Sequence, residues 1–334
     1  MIITKAPFRI SLFGGGSDLA EYYTQSPAAV LSTTIDKYMY ISSHRYFDED
    51  KITAKYSMTE LVSRAADIKH PIIREVLLKF GIDGGLEVAS IADIPAGTGL
   101  GSSSAFTVAL LHNLHARQGR YATKEMLAAG ACAIEIDTLN EPIGKQDQYA
   151  AAYGGLNVLT FLPTGQVNVE PILLTATHQK EFADSLLLYY TGKSRPASSI
   201  LAEQKGNMGK ADKRAVLGRM VELVAKGRDA LHEGDIETLG RLLHQSWLWK
   251  RELATNISSG EIDTIYEHAL AHGALGGKVL GAGGGGFLLL MCEKSKQEGL
   301  RQAMSQLREI RFNLENQGSQ VIYFCDESGG PGSV

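Results

Sequence analysis

The sequence predicts an α+β protein of two domains, and three observations support this. At 334 residues, 44% hydrophobic and 21% charged, the chain can bury a full core, and its length suits two domains better than one. Segments with strand character dominate the first third of the chain, and helical periodicity dominates most of the second half. Strands and helices are mixed instead of strictly alternating, which is typical of the α+β class.

The N-terminal part combines short strand-like runs with two helices. The best helix signal runs from Ser102 to Gln118, where apolar residues recur at the spacing of a buried helical face and serines stand at the start. A second helix is predicted from Lys124 to Asp137. The predicted strands are Arg9 to Phe13, Tyr38 to Ser42, Leu86 to Ile91 and Gly154 to Phe161.

The C-terminal part is predicted to be mainly helical. We place the domain boundary near residue 185, which gives an N-terminal domain of residues 1–185 and a C-terminal domain of residues 186–326. The Gly-, Ser- and Pro-rich tail, residues 327–334, is predicted to be disordered. The elements predicted here are the helices Arg214 to His232, Ile236 to Leu253 and Ile262 to His272 and the strands Ser185 to Thr191, Gly286 to Cys292 and Gln320 to Phe324.

Charge and cysteine content exclude several classes of function. The formal net charge of −4 provides no basic excess for a nucleic-acid backbone, so nucleic acid is not an expected partner. The first thirteen residues include Lys5 and Arg9 and contain neither a signal peptide nor a membrane span, so we expect no membrane partner and a cytoplasmic location. The three scattered cysteines lack disulfide or metal spacing and are interpreted as small buried residues: Cys132, Cys292 and Cys325.

The segment Pro95 to Ala105, PAGTGLGSSSA, is the central candidate for a phosphate-binding loop. Glycines allow the backbone to approach a phosphate, the start of the following helix leaves amide N–H groups unpaired, and serine hydroxyls add donors or a metal ligand. A flexible loop with a serine cap would need only one glycine and one serine. The candidate nucleotide-binding residues are Pro95, Gly97, Gly99, Leu100, Gly101, Ser102, Ser103 and Ser104.

Two other glycine-containing strings look like phosphate motifs and do not qualify. Gly192-Lys193-Ser194 resembles the end of a Walker A loop, but Leu187 stands where that motif needs its first glycine. The run Gly281 to Gly286 fits G-x-G-x-x-G, yet it precedes the strand pattern FLLLM where a dinucleotide fold needs a helix. Neither a P-loop nor a Rossmann protein is predicted.

The N-terminal string PFRISLFGGGSD, Pro7 to Asp18, describes a strand that ends in a glycine turn. This arrangement leaves Arg9 in the strand and Asp18 just after the turn, and both can point into a shared cleft. The alternative is a surface turn with solvated charges.

Two carboxylates, Glu135 and Asp147, are candidates for a cation site or a proton-transfer site. Phosphoryl transfer needs a metal to neutralise the β- and γ-phosphate oxygens and a group that orients or deprotonates the attacking hydroxyl. A carboxylate pair can divide these two tasks. The residues alone leave open that both are ordinary solvated acids.

Taken together and in this order, the glycine-rich segments resemble the GHMP kinase superfamily. PFRISLFGGGSD resembles its first motif, PAGTGLGSSSA its phosphate loop and GGKVLGAGGGGFLLL its third motif, so the resemblance spans nearly the whole chain. It implies a ribosomal-S5-like N-terminal domain and a ferredoxin-like C-terminal domain, with ATP and substrate in the cleft between them.

The resemblance also implies roles for individual residues. Ser103 matches the family's magnesium-linked serine, Glu135 its magnesium carboxylate and Asp147 its catalytic aspartate. Arg9 matches the basic residue of the first motif, and Asp18 matches a sugar-hydroxyl-binding aspartate of galactokinases. ATP and Mg²⁺ are therefore the expected cofactors.

The substrate expected from the resemblance is a sugar phosphate. Gly15 and Gly16 stand where galactokinases carry an acidic residue and a histidine, so galactose is not expected. The strings FRISLFGGGSDL, GKQDQYAAAYGGLN and YYTGKSRPAS most resemble bacterial D-glycero-D-manno-heptose 7-phosphate 1-kinases, with the kinase domain of L-fucokinases next. The candidate substrate-binding residues are Gly15, Gly16, Ser17, Asp18, Lys193, Arg195, Gly283 and Gly284.

A phosphate on the substrate needs its own cationic site, for which Lys193 and Arg195 are the first candidates and Lys145 and Arg45 weaker ones. A catalytically silent ATP- or sugar-binding regulator on the same fold is the alternative from another class, and the joint presence of the three matched site residues argues against it. A decarboxylase-type relative fits the carboxylate pattern poorly. The sequence does not fix the oligomeric state, and a homodimer stays open.

Overall fold

The computed structural model describes residues 1–192 and 197–325. Its strands are β1 Ile2–Phe13, β2 Ala28–Arg45, β3 Ile52–Lys55, β4 Thr59–Val62, β5 Leu86–Ala92, β6 Asn157–Phe161, β7 Val167–Pro171, β8 Leu186–Tyr190, β9 Ala274–Val279, β10 Phe287–Cys292, β11 Arg308–Glu309, β12 Leu314–Glu315 and β13 Gln320–Phe324.

The helices connect and cover these strands. They are α1 Ala20–Tyr23, α2 Pro71–Lys79, α3 Ser102–Arg117, α4 Lys124–Cys132, α5 Gln146–Tyr153, α6 Ala176–Ser185, α7 Ala197–Asn207, α8 Ala211–Glu233, α9 Ile236–Lys250, α10 Gly260–Ala271 and α11 Gln297–Ala303, with a π-helical turn at Ala133–Thr138 and 3₁₀ turns at Ala65–Asp67 and Lys294–Lys296. In the described parts of the chain, no helix is both long and apolar enough to span a membrane.

The larger sheet is built around two long antiparallel strands, β1 and β2. Across the described residues it comprises nine strands, with the main order β13-β1-β2-β5-β3-β4; β6 and β12 also pair with β2, and β7 pairs with β6. Phe8, Ile10 and Leu12 of β1 are almost fully buried, and α3 packs across β1 and β2. The strand therefore runs through the core and delivers the glycine turn that follows it to a fixed place.

The smaller sheet forms the framework of the C-terminal part. In the described residues its order is β11-β8-β10-β9, and all three pairings are antiparallel. Every residue of β10 is buried, as the continuous apolar run FLLLMC predicts for a strand covered on both faces. Helix α9 packs on β9 and against α8, so the end of α9 lies beside the strand β9.

Helix α3 begins where the sequence predicts, at Ser102. The residue before it, Gly101, has φ +74°, a left-handed conformation that favours glycine and ends the preceding loop. Phe106, Leu110 and Leu114, the predicted apolar face, are all buried. The helix start is thereby anchored against the core of the larger sheet.

The α+β class and most of the predicted elements are confirmed. The predicted strand Arg9 to Phe13 is the second half of the longer β1, and the run Tyr38 to Ser42 lies inside β2. The helix predicted from Lys124 to Asp137 consists of α4 followed by the π-helical turn. Strand β10 follows the glycine run 281–286, as the argument against a dinucleotide fold requires.

The C-terminal end of the chain returns to the larger sheet. Strand β13 pairs antiparallel with β1, and β12 pairs with β2. The larger sheet therefore contains strands from both sides of the predicted boundary at residue 185, and that boundary stays a prediction. The predicted tail, residues 327–334, lies outside the described residues.

Candidate active site

A cavity of about 290 Å³ lies where the two halves of the molecule meet. Its wall is formed by β1 and the turn after it, the loop before α3, the start of α5, and residues of α9 and β9. The predicted site residues on this wall are Arg9, Gly15, Gly16, Asp18, Gly97, Gly99, Gly101, Ser102, Ser103, Ser104 and Asp147.

Several predicted residues lie elsewhere. Ser17 is buried and donates to the carbonyl oxygen of Ala29 at 3.0 Å. Gly283 and Gly284 pack on Ile257, whereas their neighbours Gly281 and Ala282 line the cavity. Pro95 and Leu100 lie in the phosphate loop but not on the wall, and Lys193 and Arg195 lie outside the described residues.

Arg9 and Asp147 form a bidentate ion pair at the centre of the wall. Nε and Nη2 of Arg9 donate to the two carboxylate oxygens of Asp147, each at 2.8 Å. Nη1 donates to the carbonyl oxygen of Gly99 at 2.5 Å, which ties the pair to the predicted phosphate loop. Arg9 is 4% exposed, and this planar pairing compensates its buried charge.

The start of α3 faces this ion pair. A side chain at Gly101 would place its Cβ 3.2 Å from both Cγ of Arg9 and Oδ2 of Asp147, so the glycine permits the approach. The first amide N–H groups of a helix have no partner within the helix and attract anions. Together with the hydroxyl of Ser102 on the wall, the helix start provides the donors that a phosphate requires.

Glu135 lies behind the wall as the centre of a hydrogen-bond network. Its Oε1 accepts from the hydroxyls of Ser103 at 3.1 Å and Thr107 at 3.0 Å. Its Oε2 accepts from Ser104 at 2.8 Å and from the amide of Gln148 at 2.6 Å. Burial raises the pKa of the Glu135 carboxyl above its ordinary value, and these hydrogen bonds oppose the rise.

The two predicted carboxylates therefore have different partners. Asp147 is held by an arginine on the cavity wall, whereas Glu135 is 1% exposed and is held by neutral donors. These contacts do not support the hypothesis that the two carboxylates directly share one cation or one proton. Asp147 lies on the cavity wall, and Glu135 lies behind it.

The donor set near Glu135 fits a hard divalent cation. Within the described residues, no three His, Cys, Asp or Glu side chains cluster as a metal site. Mg²⁺ typically takes one or two carboxylates and completes its octahedron with phosphate oxygens and water. The hydroxyl of Ser103 on the wall and the carboxylate of Glu135 behind it are oxygen ligands of that kind.

Asp18 is a buried carboxyl that faces the cavity from the turn after β1. Its oxygens accept from the backbone N–H groups of Gly16 at 3.0 Å and Gln146 at 3.1 Å. A Cβ at Gly144 would lie 2.0 Å from Oδ2 of Asp18, so this contact requires glycine. Burial, followed by the charge of Asp147, raises the pKa of Asp18. The carboxyl is suited to hydrogen-bond a substrate hydroxyl.

The space beside the two glycines of the turn is partly filled. A Cβ at Gly16 would lie 2.3 Å from the amide nitrogen of Gln204, which reaches over from α7 and is buried. A Cβ at Gly15 would lie 3.2 Å from the hydroxyl of Ser11. The two glycines thus admit neighbouring polar groups of this chain as well as leaving room for a substrate.

Two lysines on the wall were not predicted from the sequence. Lys250, at the end of α9, and Lys278, in β9, are 6% and 1% exposed. Lys250 continues the buried stripe of α9 that includes Leu243 and Trp247. This spacing is the sequence signal from which a buried lysine could have been predicted. Lys278 stands between two residues of a buried strand, in the predicted third motif.

Comparison with known proteins gives consistent results. The family model described as "GHMP kinases N terminal domain" matches residues 60–155, and "GHMP kinases C terminal" matches residues 228–309. The chain is 29% identical over 333 residues to D-glycero-alpha-D-manno-heptose 7-phosphate kinase of Campylobacter jejuni, covering 94% of this chain and 97% of that protein. It is 31% identical over 342 residues to galactokinase of Pyrococcus furiosus, covering 92% and 93%.

The fold also matches a solved structure. A crystal structure described as a D-glycero-D-manno-heptose 1-phosphate kinase from Bacteroides thetaiotaomicron superposes with a TM-score of 0.79 at 22% identity. The match covers 98% of this chain and 100% of that one. At this identity the likeness concerns the fold.

Proposed function

The chain belongs to the GHMP kinase family, and we propose that it transfers the γ-phosphoryl group of ATP to the anomeric hydroxyl of a sugar phosphate. Its relatives include sugar kinases that match it over almost their whole length. It is accordingly an ATP-dependent sugar kinase.

The observation that carries the proposal is the Arg9–Asp147 ion pair opposite the start of α3. A helix start holds phosphates, and a carboxylate within the same cavity holds a hydroxyl group. Both are brought together by the close approach at Gly101. The geometry suits a reaction in which one reactant is a phosphate and the other an alcohol.

Asp147 is the residue that we assign to the attacking hydroxyl. It accepts a hydrogen bond from the anomeric O–H and so aims the oxygen at the γ-phosphorus; the new O–P bond forms while the bond to the β-phosphate oxygen breaks, ADP leaves, and the hydroxyl proton passes to Asp147. In a loose transition state the hydroxyl proton leaves late, so positioning contributes more than early deprotonation. Arg9 holds both oxygens of Asp147 and offsets negative charge as it develops nearby.

The phosphate loop is assigned to the triphosphate of ATP. The backbone from Gly97 to Gly101 and the hydroxyl of Ser102 supply donors, whereas the hydroxyls of Ser103 and Ser104 donate to Glu135 behind the wall and keep their oxygens as acceptors or metal ligands. Ser103 and Glu135 would hold Mg²⁺, which when bound neutralises the β- and γ-phosphate oxygens. The buried carboxylate, which has only neutral donors around it, supports this assignment.

D-glycero-D-manno-heptose 7-phosphate is the substrate that we propose, with the 1,7-bisphosphate as product. The relative from Campylobacter jejuni, which matches 94% of this chain, is a kinase of that sugar class. Asp18 is assigned to a sugar hydroxyl, and Gly15 and Gly16 replace the bulky polar groups of galactokinases. The alternative is a kinase of an unphosphorylated sugar such as L-fucose, since the bifunctional fucokinase/GDP-fucose pyrophosphorylase of Arabidopsis thaliana is 27% identical over 73% of this chain and 24% of that protein.

A coupled assay of ADP release tests the proposal. Heptose 7-phosphate, unphosphorylated heptose, L-fucose and galactose are compared at equal concentrations with Mg-ATP. Heptose 7-phosphate should give the highest kcat/KM by at least about tenfold, because its phosphate adds binding energy distant from the reacting hydroxyl. Equal turnover of fucose would favour the alternative, and ATP binding without turnover of any sugar would favour a regulator.

A further inference from the structure

The C-terminal side of the cavity carries two buried ammonium groups that have only carbonyl partners. Nζ of Lys278 donates to the carbonyl oxygen of Leu12 at 2.9 Å. Nζ of Lys250 donates to the carbonyl oxygens of Gly281 and Val279. Among the described residues neither lysine forms an ion pair with a carboxylate. An ammonium has three donors, so each lysine retains at least one for a ligand.

Burial without a counterion is unfavourable for both lysines. Burial, then the charge of Arg9, lowers the pKa of Lys250 to about 7. Burial, then the charges of Lys250 and Arg9, lowers the pKa of Lys278 well below its ordinary value. An apolar side chain of similar volume would avoid this penalty and stabilise the free protein. The two lysines therefore weaken the empty fold, and an anion that binds between them would reverse this effect.

A third group at the same place also lacks a partner. The hydroxyl of Ser11 is buried, has no hydrogen-bond partner in the structure and lines the cavity beside the two lysines. Ser11 is adjacent to Leu12, whose carbonyl accepts from Lys278. Ser11 and the two lysines therefore line one cavity, each with a donor that the protein does not use, and Ser11 lies next to Gly15.

Within the described residues, the neighbouring carboxylates act on the lysines from a distance and form no ion pair with them. Asp147 is engaged by Arg9 through both carboxylate oxygens. Asp18 accepts hydrogen bonds from two backbone amides. The charges of Asp147 and Asp18 raise the pKa of Lys250, but burial and the charge of Arg9 lower it by more. The unused N–H donors of both lysines are therefore available to a ligand.

We propose that Lys250, Lys278 and Ser11 form a second anion site, which binds the phosphate group that the sugar substrate already carries. A phosphate monoester has three terminal oxygens and close to two negative charges at neutral pH, which suits two ammonium groups and a hydroxyl. The start of α3 serves the triphosphate of ATP, so the second site is available to the other phosphorylated reactant. The inference rests on the proposed function and specifies its substrate as a phosphate monoester.

Other cations are less suited to this role in the described residues. Lys145 donates to the carbonyl oxygen of Gly165 at 2.7 Å, and Arg45 pairs with Glu49 at the surface. The sequence candidates Lys193 and Arg195 lie outside the described residues and form the competing hypothesis that the experiment below separates.

The kinetic test uses Lys278→Met, Lys250→Met and Ser11→Ala, with Arg195→Ala for the competing site and Lys55→Met as a surface control. We expect Lys278→Met to raise the KM for heptose 7-phosphate at least tenfold and Ser11→Ala about threefold, with the KM for ATP within twofold of wild type. An unchanged sugar-phosphate KM in Lys278→Met, with a rise in Arg195→Ala, would overturn the inference. A rise confined to the KM for ATP would also overturn it, because the anion would then belong to the nucleotide.

A binding test separates this inference from the proposed function. Inorganic phosphate, without ATP or sugar, should raise the Tm of wild type and of Lys55→Met equally, and should raise the Tm of Lys278→Met by less, because only the site at the start of α3 is then intact. This result would uphold the anion site even if heptose 7-phosphate were not turned over, in which case only the proposed substrate would fail. Equal stabilisation of Lys278→Met and wild type by phosphate would exclude Lys278 from the site. Ser11→Ala, which removes no charge, repeats the test if a methionine variant does not fold.

Discussion

The two sides of the cavity manage buried charge in opposite ways. On the N-terminal side, Arg9 and Asp147 compensate each other through two hydrogen bonds of 2.8 Å. On the C-terminal side, Lys250 and Lys278 are 6% and 1% exposed, and their amino groups donate only to carbonyl oxygens. A buried ion pair keeps its geometry without a ligand. A buried lysine without a carboxylate partner is electrostatically stabilised only when an anion is bound. Under the proposed function, the first side is prearranged for the reaction and the second binds the phosphate of the substrate.

The largest expected effect comes from breaking the compensated side. Asp147→Asn should retain ATP binding and lose at least about two orders of magnitude in kcat, because the attacking hydroxyl loses its carboxylate. Turnover and ATP binding are measured separately, by ADP release and by calorimetry. Asp263→Asn is the matched control, since Asp263 forms an ion pair with Arg251 at 2.9 Å and is similarly exposed. Near-normal kcat in Asp147→Asn would make Asp147 a structural residue.

A smaller effect is expected for the carboxylate behind the phosphate loop. Glu135→Gln keeps the size of the side chain and removes its charge, and should raise the Mg²⁺ concentration for half-maximal activity at least about tenfold. Titration of Mg²⁺ at fixed ATP measures this. Glu60 is the control, because it is also buried and accepts from Tyr56 and two backbone amides far from the cavity. The same metal dependence in Glu135→Gln as in Glu60→Gln would remove Glu135 from the metal site.

Burial of Lys250 without a carboxylate partner should make the free energy of unfolding depend on pH. The pKa of Lys250 is about 7 in the folded protein and near 10.5 in the unfolded chain. Between these values the unfolded chain binds more protons, so the free energy of unfolding rises with pH, by up to about 1.4 kcal/mol per pH unit. Lys250→Met should be more stable than wild type at pH 7, and the difference should shrink towards pH 10. Urea denaturation at pH 7, 8 and 9 checks this, and a constant difference would contradict it.

The smallest effect is expected for an exposed lysine with a partner. Lys55 and Glu87 form a surface ion pair at 2.7 Å. Solvent screens such pairs, so Lys55→Met should change the free energy of unfolding by less than about 0.5 kcal/mol at any pH between 7 and 9. If the free energy of unfolding of Lys55→Met changed with pH as much as that of Lys250→Met, burial would not explain the difference between the two lysines.

Much of the fold was predictable from local patterns. The apolar spacing from Ser102 to Arg117 and the continuous run of β10 identify their elements because each buries a regular face. The two-domain GHMP kinase fold implied by the three glycine-rich motifs is confirmed by the family matches. Helix α5 was not predicted, because its buried residues are mainly alanines and a glutamine that give no amphipathic pattern.

The site was predictable in its parts but not in its contacts. Glycine and serine in the phosphate loop indicate a phosphate through backbone geometry, which is local. The ion pair of Arg9 with Asp147 joins residues 138 positions apart, and only packing reveals it. Lys250 and Lys278 were missed because a lysine is usually solvated, and their burial arises when α9 and β9 close over β1. The cytoplasmic location and the oligomeric state stay predictions.

The return of β13 to β1 bears on how the protein is made. The pairing of Ile2 with Phe324 adds β13 to the edge of the larger sheet beside β1 and joins residues from opposite ends of the described chain. During translation β1 and β2 emerge first, but one edge of β1 has no neighbouring strand until β13 has been synthesised. Such long-range pairing slows folding and leaves a strand edge exposed to other chains in the meantime. Assembly of the larger sheet therefore requires that residues 320–324 have already been synthesised.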